Sequence, residues 1–260
     1  MLKNLKTSIY LMIPKHHKAD NQWDLLIFTQ SWPPTVCKVW SDKPNHSCNL
    51  PSPEHWSIHG IWPTKLGTMG PSFCNKTWLF DPEQVRPIEN TLEDMWINVE
   101  KETSLYSLWA HEWSKHGTCA AQLEQLNSEF KYFSKGLEFI NDYTMTNILN
   151  EAGITPSDNK EYKITDFHNA INSKLGVNPA IECRKSKGKQ YIVELRICFK
   201  KDLTITDCDG IVREVSVGNL RILSNCDTSK GIIYEYNAKP PQRILLQLYR
   251  LTNLIQWLTL

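Results

Sequence analysis

Eight cysteines constrain this chain more than any other feature: Cys37, Cys48, Cys74, Cys119, Cys183, Cys198, Cys208 and Cys226, spread through 260 residues. An even count without a CxxC pair argues against zinc knuckles and thioredoxin-like redox chemistry, and for a disulfide-stapled fold made in an oxidising compartment. Spacing alone leaves on the order of a hundred pairings open. Two acceptor sequons, Asn45-His46-Ser47 and Asn75-Lys76-Thr77, lie beside cysteines in polar sequence and make Asn45 and Asn75 candidate glycosylation sites. Cysteines and sequons together give the expectation of a secreted or lysosomal protein.

The length suits one domain, because single cores keep growing up to roughly 250 residues. With 29 Lys and Arg against 28 Asp and Glu, the net charge of +1 excludes a global basic field of the kind that steers tight nucleic-acid binders, so any affinity for phosphate must be local. Residues 1–22 read as a leader segment, residues 23–228 as the folded domain and residues 229–260 as an atypical apolar tail. The tail keeps helical spacing at Ile244, Leu248, Leu251, Ile255 and Leu258, but it is short and carries Arg250, so no membrane-spanning segment is expected.

Aromatic and β-branched content predicts core strands over Trp23–Gln30 and Trp56–Trp62, each bounded by a proline, and further strands over Tyr191–Phe199 and Ile211–Val217. Between them, Leu123, Leu126, Phe130, Phe133, Leu137 and Ile140 step by three and four and predict one long amphipathic helix. Two shorter stripes, Met145 to Ala152 and Phe167 to Leu175, stop at Gly153 and Gly176. The expected class is α+β: a single domain with a mainly antiparallel sheet flanked by several helices.

Reactive side chains concentrate in Trp56-Ser57-Ile58-His59-Gly60-Ile61-Trp62-Pro63 and in His111-Glu112-Trp113-Ser114-Lys115-His116-Gly117-Thr118-Cys119. On a helix Glu112 lies under His116 and His111 under Lys115, so one patch holds acid, base and cation together. His-Glu also opens the zincin motif, but zincins space their histidines by four. A gap of five turns His116 by about 140° from His111 on a regular helix, which disfavours a shared metal. His16, His17, His46, His55 and His168 read as surface or structural histidines, Trp56, Trp109 and Trp113 as packing residues, and Arg184, Lys185, Lys187 and Lys189 as a solvated basic loop.

These two stretches, with Phe28-Thr29-Gln30-Ser31-Trp32-Pro33-Pro34-Thr35-Val36-Cys37 upstream, closely resemble the ribonuclease T2 family, and the likeness covers residues 23 to about 226. The resemblance implies an endoribonuclease that cleaves single-stranded RNA through a 2',3'-cyclic phosphate at acidic pH, as a monomer without metal or cofactor. By the same likeness His116 is the general base and His59 the general acid, Glu112 and Lys115 stabilise the crowded phosphate, and His111 contacts it. Base recognition is expected from Trp62 and from Gln30 with the Trp32-Pro33-Pro34 run. The chain departs from the family at Thr64, where an acidic residue is usual, and so lacks a charged acceptor for a base amino group there. The resemblance also suggests the pairs Cys37–Cys48, Cys74–Cys119, Cys183–Cys226 and Cys198–Cys208. A rival reading, a binding protein that keeps the fold without catalysis, is disfavoured by intact His59, Glu112, Lys115 and His116.

Overall fold

The computed structural model describes residues 22–68, 70–208 and 214–236; the expected leader up to residue 21, the tail from residue 237 and the start of the Ile211–Val217 strand lie outside the described residues. Among the described residues nine strands form one sheet: β1 Leu25–Ser31, β2 Ser57–Thr64, β3 Glu161–Tyr162, β4 Ala180–Ser186, β5 Lys189–Phe199, β6 Ile205–Thr206, β7 Glu214–Val217, β8 Leu220–Ser224 and β9 Ile232–Ile233. The main order is β2-β1-β5-β4-β8-β7. Pairing is mainly antiparallel, with β4/β8 and β5/β9 parallel. β5 is the central strand because its eleven residues run from the Lys187-Gly188 turn through a nearly continuous buried series to Phe199.

Two strand expectations change. β2 is an edge strand that continues through Pro63 to Thr64, which an edge tolerates because a proline there need not donate to a neighbour. The domain also does not end at residue 228. Ile232–Ile233 pair with β3 and β5, and Tyr234 is buried, accepting a hydrogen bond on its hydroxyl from Trp56 Nε1 at 2.8 Å. The segment after the last cysteine therefore belongs to the sheet and core.

The predicted long helix is broken. A 3-10 turn covers Glu124–Leu126, and a fresh helix, Glu129–Asp142, starts where the Ser128 hydroxyl caps Lys131 N. Its buried face is Tyr132, Phe133, Phe139 and Ile140, leaving Phe130 exposed, so the stripe drawn from Leu123 mixed two elements. The two shorter helices, Met145–Glu151 and Ile164–Leu175, end as expected, with Gly153 and Gly176 in the left-handed region (φ 72° and 71°).

Tryptophans knit the core. Trp32, Trp56, Trp96, Trp109 and Trp113 are fully buried, and the first four each place their indole N–H on a protein acceptor. Trp96 donates to the His59 carbonyl at 2.9 Å, pinning β2 at its histidine. The four disulfides are Cys37–Cys48, Cys74–Cys119, Cys183–Cys226 and Cys198–Cys208. Asn45 and Asn75 are both exposed.

Candidate active site

His59 owes its direction to an irregularity. Opposite β1, Thr29 pairs with Gly60 and Gln30 with Ile58, so His59 is the extra residue of a β-bulge. In a regular strand, positions three apart point to opposite faces. Here the bulge brings His59 against Trp62, ring centroids 5.1 Å apart at 81°. Trp62 in turn lies 5.3 Å from the His116 ring, so one indole touches both histidines.

The second motif arrives on the helix Ser107–Glu112, which passes into a π-helical turn over Trp113–Gly117. A π turn closes between residues five apart. The angular argument that separated His111 from His116 assumed a regular α-helix, whereas the helix changes to a π turn between them; Lys115 and His111 both lie near enough for their charges to lower the His116 pKa. Among the described residues, no group of three His, Cys, Asp or Glu side chains is placed to hold a metal ion. Cys119, just past the turn, is bonded to Cys74, and Phe73 N donates to Lys115 O at 2.9 Å, so the segment is held from outside as well.

Glu112 is buried and sits over Gly60. Its Oε2 accepts from Trp62 Nε1 at 2.7 Å, and its Oε1 lies 3.9 Å from His59 Nε2. The carboxylate therefore leans on His59, where the helical spacing had placed it under His116. A side chain at position 60 would overlap both the Glu112 carboxylate and the Trp62 indole nitrogen, which explains a glycine between the histidine and the tryptophan.

The charges of the two histidines diverge. Burial pushes the His116 imidazole down to about 2, reinforced by Lys115, His59 and His111, which favours its neutral form. His59 also loses hydration, but the Glu194 carboxylate, through its charge and a hydrogen bond of 2.7 Å to Nδ1, outweighs that loss, and with Glu112 it raises the pKa. Burial drives the Glu112 carboxyl up to about 7. Glu194 is held down at about 2 against its own burial by His59 and Arg196. Glu194 and Arg196 had no signature in the sequence; the only trace is Glu194-Leu195-Arg196-Ile197, whose alternation in β5 aims both charges at the face that carries Trp62.

Two base-binding expectations are corrected. Gln30 is fully buried, its amide donating to Tyr143 O at 2.8 Å and accepting from Met145 N at 3.0 Å, so it is committed to the core and out of a ligand's reach. Trp32, Pro33 and Pro34 are buried with it. Trp62 is partly exposed, with His59, His116 and the Arg196 guanidinium around its ring. The open space lies elsewhere. A cavity of about 490 Å³ takes His59, His111 and Glu194 as one wall and runs to Val39, Trp40, Ile97 and Leu108, with Arg184 at its border.

Two imidazoles on either side of Trp62, one carried by an edge strand and one by a disulfide-anchored helix, mark the site, and comparison defines the class of the protein as ribonuclease. Residues 23–208 match the Ribonuclease T2 family, and the chain belongs to it. It is 38% identical over 199 residues to Ribonuclease Oy of Magallana gigas, covering 75% of this chain and 90% of the relative. It is 35% identical over 199 residues to Ribonuclease T2 of Homo sapiens, covering 75% and 73%. The crystal structure of human RNase T2 superimposes with a TM-score of 0.65 at 32% identity over 85% of this chain and all of that one. The crystal structure of RNase NT in complex with 5'-AMP gives 0.64 at 28% identity, over 78% and 98%.

Proposed function

We propose that this chain is an acid endoribonuclease of single-stranded RNA that transfers the phosphodiester to the substrate's own 2'-hydroxyl. The observation that carries the reading is the pair of imidazoles set against one indole, His59 and His116 on Trp62, with their surroundings raising the pKa of the first and lowering that of the second. Neutral His116 takes the 2'-hydroxyl proton as the 2'-oxygen attacks phosphorus. The P–O5' bond breaks, and protonated His59 delivers its proton to the departing oxygen. The products are a 2',3'-cyclic phosphate and a free 5'-hydroxyl. Because the nucleophile is tethered beside the phosphorus, proximity replaces an activated water.

The remaining groups serve the crowded phosphorane. Lys115 supplies positive charge, His111, whose charged form burial and Lys115 disfavour, supplies a hydrogen-bonding ring, and Glu112, its carboxyl raised to about 7, steadies His59. Bases would enter the cavity beyond His59, whose apolar end is built from Val39, Trp40, Ile97 and Leu108. Acid pH suits this pair, since His116 stays neutral well below the ordinary imidazole range while His59 keeps its proton. Four disulfides fit work outside the cytosol, in a secreted or lysosomal setting.

An oligonucleotide with a single 2'-deoxyribose at the scissile position tests the route. Cleavage should stop at that linkage and persist elsewhere with chelator present; turnover at the deoxy linkage would refute transfer to the 2'-hydroxyl.

A further inference from the structure

The proton transfer uses one nitrogen of His59 and says nothing of the other. That second nitrogen, Nδ1, is 2.7 Å from Glu194 Oε1, and the other Glu194 oxygen is occupied separately: Arg196 Nη2 and Nε donate to Oε2 at 2.6 and 3.2 Å. Arg196 Nη1 reaches on to Glu182 Oε1 at 3.3 Å. The ladder sets this row, because Glu182 lies opposite Glu194, and Ala180 opposite Arg196, across β4 and β5. The carboxylate thus stands on the central strand of the sheet, clamped from one side and bonded to a single imidazole nitrogen on the other.

We infer that Glu194 is a positioning residue for His59: clamped by Arg196, it orients the ring and holds the proton on Nδ1, leaving Nε2 as the atom that exchanges its proton with the leaving oxygen. This deepens the proposed reaction and rests on His59 being its acid. An imidazole held by a carboxylate at one nitrogen has its tautomer and direction fixed at the other. Nε2 is the nitrogen turned toward the Glu112 carboxylate, 3.9 Å away, on the side where the helix brings His116. The charges facing His59 are Glu194 and Arg196 from β5, and Glu112, His111 and His116 from the helix and its π turn, with Arg184 and Lys115 nearby. Of the two carboxylates only Glu194 is within hydrogen-bond distance.

Ring ¹⁵N NMR of His59, combined with pH profiles of kcat on a dinucleotide, tests the assignment in the parent protein and in Glu194→Gln and Glu194→Ala. In the parent, neutral His59 should carry its proton on Nδ1. Glu194→Gln keeps an acceptor but removes the charge, so the His59 pKa and the basic limb of kcat should fall together by about one unit. Glu194→Ala should also lower kcat roughly ten-fold while KM stays within about two-fold. A purely structural carboxylate would lower thermal stability and leave the basic limb in place. A neutral Nε2–H tautomer in the parent, or an unmoved limb in folded Glu194→Gln, overturns the assignment. Full activity in His59→Ala would instead defeat the reaction itself, which separates the two failures.

Discussion

Trp62 Nε1 donates to Glu112 Oε2 at 2.7 Å, and this bond joins the strand that carries His59 to the helix that carries His116. The carboxyl is almost fully buried and pushed up to about 7, so the indole is a rare compensating donor in a dry site. Trp62→Phe keeps the ring and deletes the donor. Glu112 should then hold its proton to higher pH, with stability lower by about 1–3 kcal/mol in urea denaturation and kcat lower by at least about ten-fold. Parental kcat and midpoint would show the bond to be incidental.

Gly60 leaves the space through which that bond passes. The Cβ of Gly60→Ala would meet both partners, and β1 on the paired edge gives the strand little freedom to retreat. Overpacking of this kind costs about 1–3 kcal/mol. The loss of kcat should exceed what that destabilisation alone produces, as read by activity assays well below the melting temperature.

Glu129 provides a pH test away from the catalytic residues. Burial raises its carboxyl to about 7 from an ordinary 4.5, while Oε2 accepts from Asp81 N at 2.8 Å. A folded-state pKa above the unfolded one contributes stability that is complete below pH 4.5 and lost as pH rises through about 7. Glu129→Gln cannot ionise, so the Tm difference between variant and parent should move in the variant's favour across that interval. A difference independent of pH would mean that Glu129 titrates normally.

The disulfide-bonded Cys74 and Cys119 close a separation of 45 residues that includes the π turn carrying Lys115 and His116. Replacing both by alanine should lower stability by about 4 kcal/mol in the chain-entropy model. Because Lys115 and His116 lie within the same segment, kcat should fall too, measured under conditions where the variant remains folded.

What could be read from the sequence was whatever depends on local pattern. Gly153 and Gly176 stop their helices as periodicity said, the Tyr191–Phe199 run lies in the central strand, and His59, Glu112 and His116 all lie against Trp62 or its partners. What escaped depends on departures from regularity. The bulge at His59 and the π turn at Trp113–Gly117 each shift the phase of the side chains that follow, and no period of 2.0 or 3.6 residues reveals them. Gln30 looked available because a polar side chain near a motif suggests a ligand contact, whereas here it satisfies the backbone between two helices at Tyr143 and Met145. Glu194 and Arg196 lie more than 130 residues from His59, where only the strand register makes them neighbours. Tyr234 lies in the segment read as a tail, beyond the reach of the family likeness, and only its burial against Trp56 shows that it belongs to the core.

The central claim is that His59 and His116 divide one proton transfer between them. ³¹P NMR of a dinucleoside monophosphate at about pH 5, followed with the parent, His59→Ala and His116→Ala, tests it directly. The parent should accumulate a 2',3'-cyclic phosphate, and each variant should form it slower by roughly 10²–10⁴-fold. Direct appearance of a 5'-phosphate, or parental rates in either variant, would contradict the account.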